Sequence, residues 1–180
     1  MRPQYFAWLI CVFTLAAEAA PPPDDTQAKL KEIYFDAARV GDTQALDAFI
    51  DAHYDLNTQD ARGYTGLILA AYHGQGAAVE QLLAAGANAC AEDNRGNTAL
   101  MGAIFKGELS IAHRLLQADC SPDQPNHAGQ TPAMYAALFQ RKDILDALAA
   151  KGADLGAKDA MGNDAESLAK GQFQALKPQP

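Results

Sequence analysis

Cationic side chains are scarce in this 180-residue sequence: 14 Lys and Arg stand against 22 Asp and Glu, a formal net charge of -8 at pH 7. There is no basic stripe to follow a phosphate backbone, so nucleic-acid binding is excluded, and the balance favours solubility and basic partners. Histidine is also sparse. His53, His73, His113 and His127 show no metal-ligand spacing and have no cysteine nearby, so no metal site is expected. No CxxC occurs, which removes a thioredoxin-type redox centre. There is no GxSxG elbow, Walker-type loop or dinucleotide fingerprint. The acidic pairs Asp24-Asp25 and Glu92-Asp93 read as solvated charge in a leader and a turn. No catalytic residue, cofactor or metal is expected, and the chain does not read as an enzyme. Aromatics make up only 8% of the residues, which suits closely stacked helices better than a thick core.

Long apolar runs are missing too, with one exception. Tyr5 to Ala17 is almost uninterruptedly apolar, follows Met1-Arg2, and leads into Ala17-Glu18-Ala19. This is the shape of a secretory signal, with a core too short for a comfortable membrane span. The alternative is an uncleaved anchor. Cleavage after Ala19 is the reading adopted, with residues 1–19 as signal peptide and 20–26 as a stiff, polar Pro/Asp-rich leader. Cys11 lies inside the apolar run rather than at a lipidation boundary, so no lipid anchor is expected and no membrane association after cleavage. Two cysteines then remain, Cys90 and Cys120. Export would permit a disulfide between them; two buried thiols are the other reading.

What the sequence does contain is a fixed stride of 33 residues. Gly63 is followed by Gly96, Gly129 and Gly162, and two positions later come Thr65, Thr98, Thr131 and Asp164. A second glycine recurs as Gly41, Gly74 and Gly107. Small pairs recur as Ala37-Ala38, Ala70-Ala71, Ala103-Ile104 and Ala136-Ala137, and Leu82-Leu83 returns as Leu115-Leu116. Such a period marks a repeat array in which each unit completes its core on the next. Within a unit, Asp60-Ala61-Arg62-Gly63 and its copies are turns. The Thr or Asp two residues later is an N-cap, with Pro132 at the favoured first helical position. Gly74 and Gly107 end the first helix. A second helix follows over about Ala77 to Ala85, Ser110 to Gln117 and Lys142 to Ala150, where Val79, Leu82 and Leu83 share one face.

The units opened by "GYTGLILAAYHG", "GNTALMGAIFKG" and "GQTPAMYAALFQ" and closed by "LLAAGANA" or "LAAKGADL" resemble the ankyrin repeat. The expected fold is an all-α ankyrin-repeat solenoid over residues 27–180. Full repeats occupy 60–92, 93–125 and 126–158, between an N-terminal cap repeat (27–59) and a partial C-terminal cap (159–180). Leu30 and Glu32 replace the turn glycine and threonine in the first cap, a departure that suits a terminal unit with a polar outer face. Ankyrin units usually carry a histidine three residues after the capping threonine; here those positions are Ile68, Met101 and Met134. Fewer hydrogen bonds between repeats and more reliance on apolar packing are therefore expected.

The resemblance also implies where function sits: a concave face made by the turn tips and the exposed ends of the first helices. By position, the tips are Arg62, Tyr64, Asn94, Arg95, Asn97, His127, Gln130, Met161 and Asn163. The helix ends are Tyr72, His73, Phe105, Lys106, Leu138 and Phe139. Tyr72, Phe105 and Leu138 stand one stride apart and are expected to form a ladder of large apolar side chains. Aromatic and Arg residues make good interface anchors. The expected function is a monomeric exported scaffold, periplasmic in a Gram-negative source, that binds a protein partner. The resemblance to exported bacterial ankyrin proteins, some of them associated with catalase, implies a tie to catalase and peroxide resistance. The alternative is an immunity or inhibitor protein that sequesters a toxin or hydrolase in the same compartment.

Overall fold

The computed structural model describes residues 23–172. Residues 1–19, read above as a signal peptide and including Cys11, residues 20–22 and the C-terminal residues 173–180 lie outside the described part. Nine helices are found among the described residues: α1 (Pro23–Val40), α2 (Thr43–Asp51), α3 (Gly66–Tyr72), α4 (Gly76–Ala84), α5 (Ala99–Lys106), α6 (Leu109–Leu116), α7 (Pro132–Leu138), α8 (Lys142–Ala150) and α9 (Ala165–Ala169). They form two layers. The first helices pack in the order α1, α3, α5, α7, α9, and the second helices α2, α4, α6, α8 stack behind them. The small pairs make this close approach possible, and Ala70, Ala71, Ala103, Ile104, Ala136 and Ala137 are all buried.

The first helices α3, α5, α7 and α9 each start at a side-chain cap. Thr65 Oγ1 accepts the Ile68 N–H at 3.2 Å, and Thr98 and Thr131 accept from Met101 and Met134 at 3.4 Å. Asp164 and Ser167 form a reciprocal capping box at the head of α9. The turns before these helices are held by one carboxylate or amide each. Asp60 Oδ1 accepts from the N–H groups of Arg62 and Tyr64 at 2.8 and 2.9 Å, and Asp93 Oδ1 from Arg95 and Asn97, both at 2.8 Å. Asn126 and Asp159 repeat the arrangement.

Successive turns are joined by backbone bonds: Asn94 N–H to Arg62 O (3.0 Å), His127 N–H to Arg95 O (2.9 Å) and Ala160 N–H to Ala128 O (3.0 Å). Ile68, Met101 and Met134, which take the place of the usual histidine, are buried in the core. Side-chain amides add further links between units, among them Asn94 Nδ2 to Ala61 O and Asn126 Nδ2 to Asn97 Oδ1.

The first cap differs from expectation in two ways. Helix α1 starts at Pro23, inside the segment read as a leader, and runs unbroken through the place where a turn would lie. Proline is tolerated at a helix start, and the Asp25–Lys29 pair spans one helical turn; with no turn glycine in the segment, the helix has nothing to interrupt it. The outer face of α1 is also less polar than a terminal unit requires, with Leu30, Ile33 and Val40 exposed. Its inner face carries Tyr34, whose ring meets those of Phe35, Phe49 and Tyr54 at centroid distances of 5.0–5.5 Å. The Tyr34 hydroxyl donates to Leu56 O at 2.8 Å, and burial raises its pKa above the ordinary phenol range.

Behind the second helices, Cys90 and Cys120 are joined by a disulfide with a Cα–Cα distance of 5.6 Å. It links the loop that follows α4 to the loop that follows α6. The first and third full repeats close their second helix with Gly86 and Gly152, both at positive φ. Asp119 stands at the equivalent position of the middle repeat, next to the bridge.

Candidate functional site

The concave side is built from the turns and the first helices, and its chemistry starts with what the turns consume. Asp60 and Asp93 spend an oxygen on their own turn backbones, and Asp93 is buried. The residue two positions later, Arg62 or Arg95, is thereby placed at the outermost point of the turn, and both are exposed. The last turn of each first helix supplies the second wall. Tyr72 and Phe105 are 38% and 44% exposed although both are large and apolar. Their rings stack in parallel, 6.0 Å between centroids with 11° between planes. Lys106 Nζ lies 5.1 Å from the Tyr72 ring centroid, within range of a cation–π contact.

Between turns and helix ends lie two adjoining depressions. One, of about 420 Å³, is walled by Arg39, Asp60, Arg62, Tyr64, Tyr72 and His73. The other, of about 200 Å³, shares Tyr64, Ile68 and Tyr72 with the first and continues past Arg95, Phe105 and Tyr135. Together they form one groove across the first two full repeats. Partial burial lowers the His73 pKa, and the positive charges of Arg39 and Lys106 lower it further, which favours the neutral imidazole.

Most of the expected contact residues lie on this face, in differing states. Arg62, Tyr72, His73, Asn94, Arg95, Phe105, Lys106, His127 and Met161 are exposed, and Tyr64 is half-buried. Asn97 and Gln130 are also half-buried and already engaged: Asn97 Nδ2 donates to Asp93, and Gln130 Oε1 accepts from Asn126. Asn163, expected at a tip, is instead buried, its amide folded back to donate to both carboxylate oxygens of Asp159 in its own turn. The ladder also runs differently. Leu138 is half-buried and packs against the core. Phe139 takes its place, meeting Phe105 edge-on at 5.0 Å and 86°. Tyr135 and Phe139 are four apart, a spacing that puts both rings on one helical face, and their centroids are 6.0 Å apart.

Two contributors were missed by position alone. Arg39 comes from the cap helix, where it pairs with Asp36. Tyr135 stands one stride after Gly102, and its hydroxyl donates to Asn97 Oδ1 at 2.9 Å. Burial raises its pKa, partly offset by the bond with Asn126. A glycine inside a first helix, followed one stride later by a large ring, was the available signal for this end of the groove. Neither cysteine of the disulfide lines it.

Two family models match the chain. One, described as ankyrin repeats (3 copies), covers residues 34–126, and the other, described as ankyrin repeat, covers residues 128–157. No curated protein matches it.

Proposed function

Because the chain belongs to the ankyrin-repeat family, we propose that the protein-binding role such repeats imply is carried by this concave groove, in an exported, monomeric scaffold. The observation that carries this reading is the exposed Tyr72–Phe105 stack. Two large rings lie open on one wall of a groove, flanked by Arg62 and Arg95, and side chains of these types are the usual energetic anchors of protein interfaces. The scaffold reading is non-enzymatic and needs no cofactor.

Export is the second part of the proposal. It rests on the N-terminal signal shape of residues 1–19 and is supported by the Cys90–Cys120 disulfide, a bond favoured by oxidising compartments. In a Gram-negative source the compartment is the periplasm. A role beside catalase in peroxide resistance is the finer expectation, carried by resemblance to exported bacterial ankyrin proteins; loss of the protein then lowers peroxide tolerance.

The test is a photo-crosslinking residue at position 105 in whole cells, followed by identification of the captured protein. Capture of one partner is expected, and pull-down of that partner by the protein without the probe is expected to be lost in Tyr72→Ala/Phe105→Ala with helicity unchanged. Removing two such anchors weakens binding by about 2 kcal/mol or more, roughly thirtyfold. Undiminished capture by the double variant rejects this face. Fractionation with the mature chain in the cytosol rejects export.

A further inference from the structure

The charge of the molecule is sorted by face. In the turn and first helix of each full repeat (residues 60–73, 93–106 and 126–139), the acids are Asp60 and Asp93 alone; both border the groove, and each is bonded through Oδ1 to two N–H groups of its own turn. The same segments carry Arg62, Arg95 and Lys106, with His73 and His127. Arg62, Arg95 and Lys106 form no ion pair among the described residues. The groove's other cation, Arg39, is shared with Asp36. Glu80, Asp119, Asp123, Asp143, Asp146 and Asp154 lie instead on the second helices and the loops behind them. A chain with a net charge of -8 thus presents unpaired guanidinium groups where it is hollow.

We propose that the groove takes an acidic, extended peptide segment of the partner, its carboxylates on Arg62 and Arg95 and a large apolar side chain against the Tyr72–Phe105 stack. This rests on the binding reading above and names its partner chemistry. Guanidinium groups in fixed positions pair carboxylates in a planar, two-bond geometry. Arg62 and Arg95 occupy successive turns, joined through the Asn94 N–H to Arg62 O bond. Layers of packed helices repeat every 8–10 Å or so. A polyproline-II segment rises about 3.1 Å per residue and returns to the same face every third residue. Carboxylates three residues apart therefore match successive turns. The total charge points to basic partners; the local arrangement at the groove selects acidic ones.

The experiment uses the disulfide-bonded protein and two short fluorescent peptides. One has aspartate at every third position, a single tryptophan and proline elsewhere; the other has lysine for aspartate. The acidic peptide is expected to bind about tenfold or more tighter than its lysine counterpart, and to weaken as salt rises. Arg62→Glu/Arg95→Glu should invert the preference, and Arg62→Gln/Arg95→Gln should abolish it without inversion. The thermal melts of both variants should match the parent, since both sites are exposed. Equal or tighter binding of the lysine peptide, no binding of either, or indifference to the substitutions overturns the proposal. If the position-105 crosslink to a partner persists while the peptides are not discriminated, the groove reading stands and only its chemistry falls. If that crosslink captures nothing, the groove reading falls as well.

Discussion

Two residues show how much a single position owes to its neighbour in space. Gly66 opens helix α3 where the other repeats have Ala99, Pro132 and Ala165. A Cβ at Gly66 would sit 2.3 Å from the Tyr34 hydroxyl and 2.6 Å from its ring. Gly66→Ala, a substitution that raises helix propensity, is therefore expected to destabilise the fold by about 1–3 kcal/mol through overpacking. Urea denaturation checks this; a stabilised variant would show that Tyr34 moves aside freely. Gln140 is the converse case. It occupies the stride position of Gly41, Gly74 and Gly107 and has a φ of 58°, in the left-handed region. Its side-chain amide donates a long 3.4 Å bond to Ala169 O. Gln140→Gly is expected to raise stability by up to about 1 kcal/mol, because the strain of a Cβ in that region exceeds the extra freedom given to the unfolded chain. A lower melting temperature would contradict it.

At the scale of the element, α3, α5, α7 and α9 begin at a side-chain cap, and the cap of α9 titrates. The Ser167 N–H donates to Asp164 Oδ1 at 2.8 Å. Hydrogen bonds from the Ser167 backbone and side chain hold the Asp164 carboxyl below its ordinary pKa, with Lys158 assisting. A lowered carboxyl pKa means that the folded state favours the ionised form. Its contribution is complete above the ordinary aspartate value of about 4 and is lost as pH falls through the lowered one. Helix α9 is therefore expected to fray in acid before the central repeats do. Amide exchange at Ser167 and Leu168 should accelerate relative to α5 as pH drops, and Asp164→Asn should flatten that dependence. Exchange at α9 that tracks α5 at every pH would refute it. The long α1 shows the limit of reading elements by stride: the register continues through residues 30–32, but no glycine is there to break the helix.

For the whole molecule, the disulfide adds a covalent tie between two neighbouring layers of an array otherwise held by packing and hydrogen bonds. A bridge with a sequence separation of 30 residues restricts the unfolded chain by roughly 3–4 kcal/mol in the chain-entropy treatment. Cys90→Ser/Cys120→Ser is expected to lower stability by about 2–4 kcal/mol, read as a shift in denaturation midpoint, with peptide binding at the groove retained because neither cysteine lines it. Loss of groove binding in a folded variant would mean that the tie shapes the concave face as well.

The sequence by itself determined the unit and its order: the 33-residue stride, the capping Thr65, Thr98 and Thr131, and the apolar faces of the second helices. These follow from interactions reaching three or four residues along the chain, which side-chain type and spacing express directly. Only the tertiary structure decided the pairing of Cys90 with Cys120, the aromatic row through Phe139 with Tyr135 behind it instead of Leu138, and the entry of Arg39 from the cap. It also decided the sign of the groove. Total charge counts Asp60 and Asp93 equally with every other acid, whereas folding turns them into their own turns and leaves Arg62 and Arg95 facing outward. These features join residues about a repeat apart, and their geometry is set only when the layers stack.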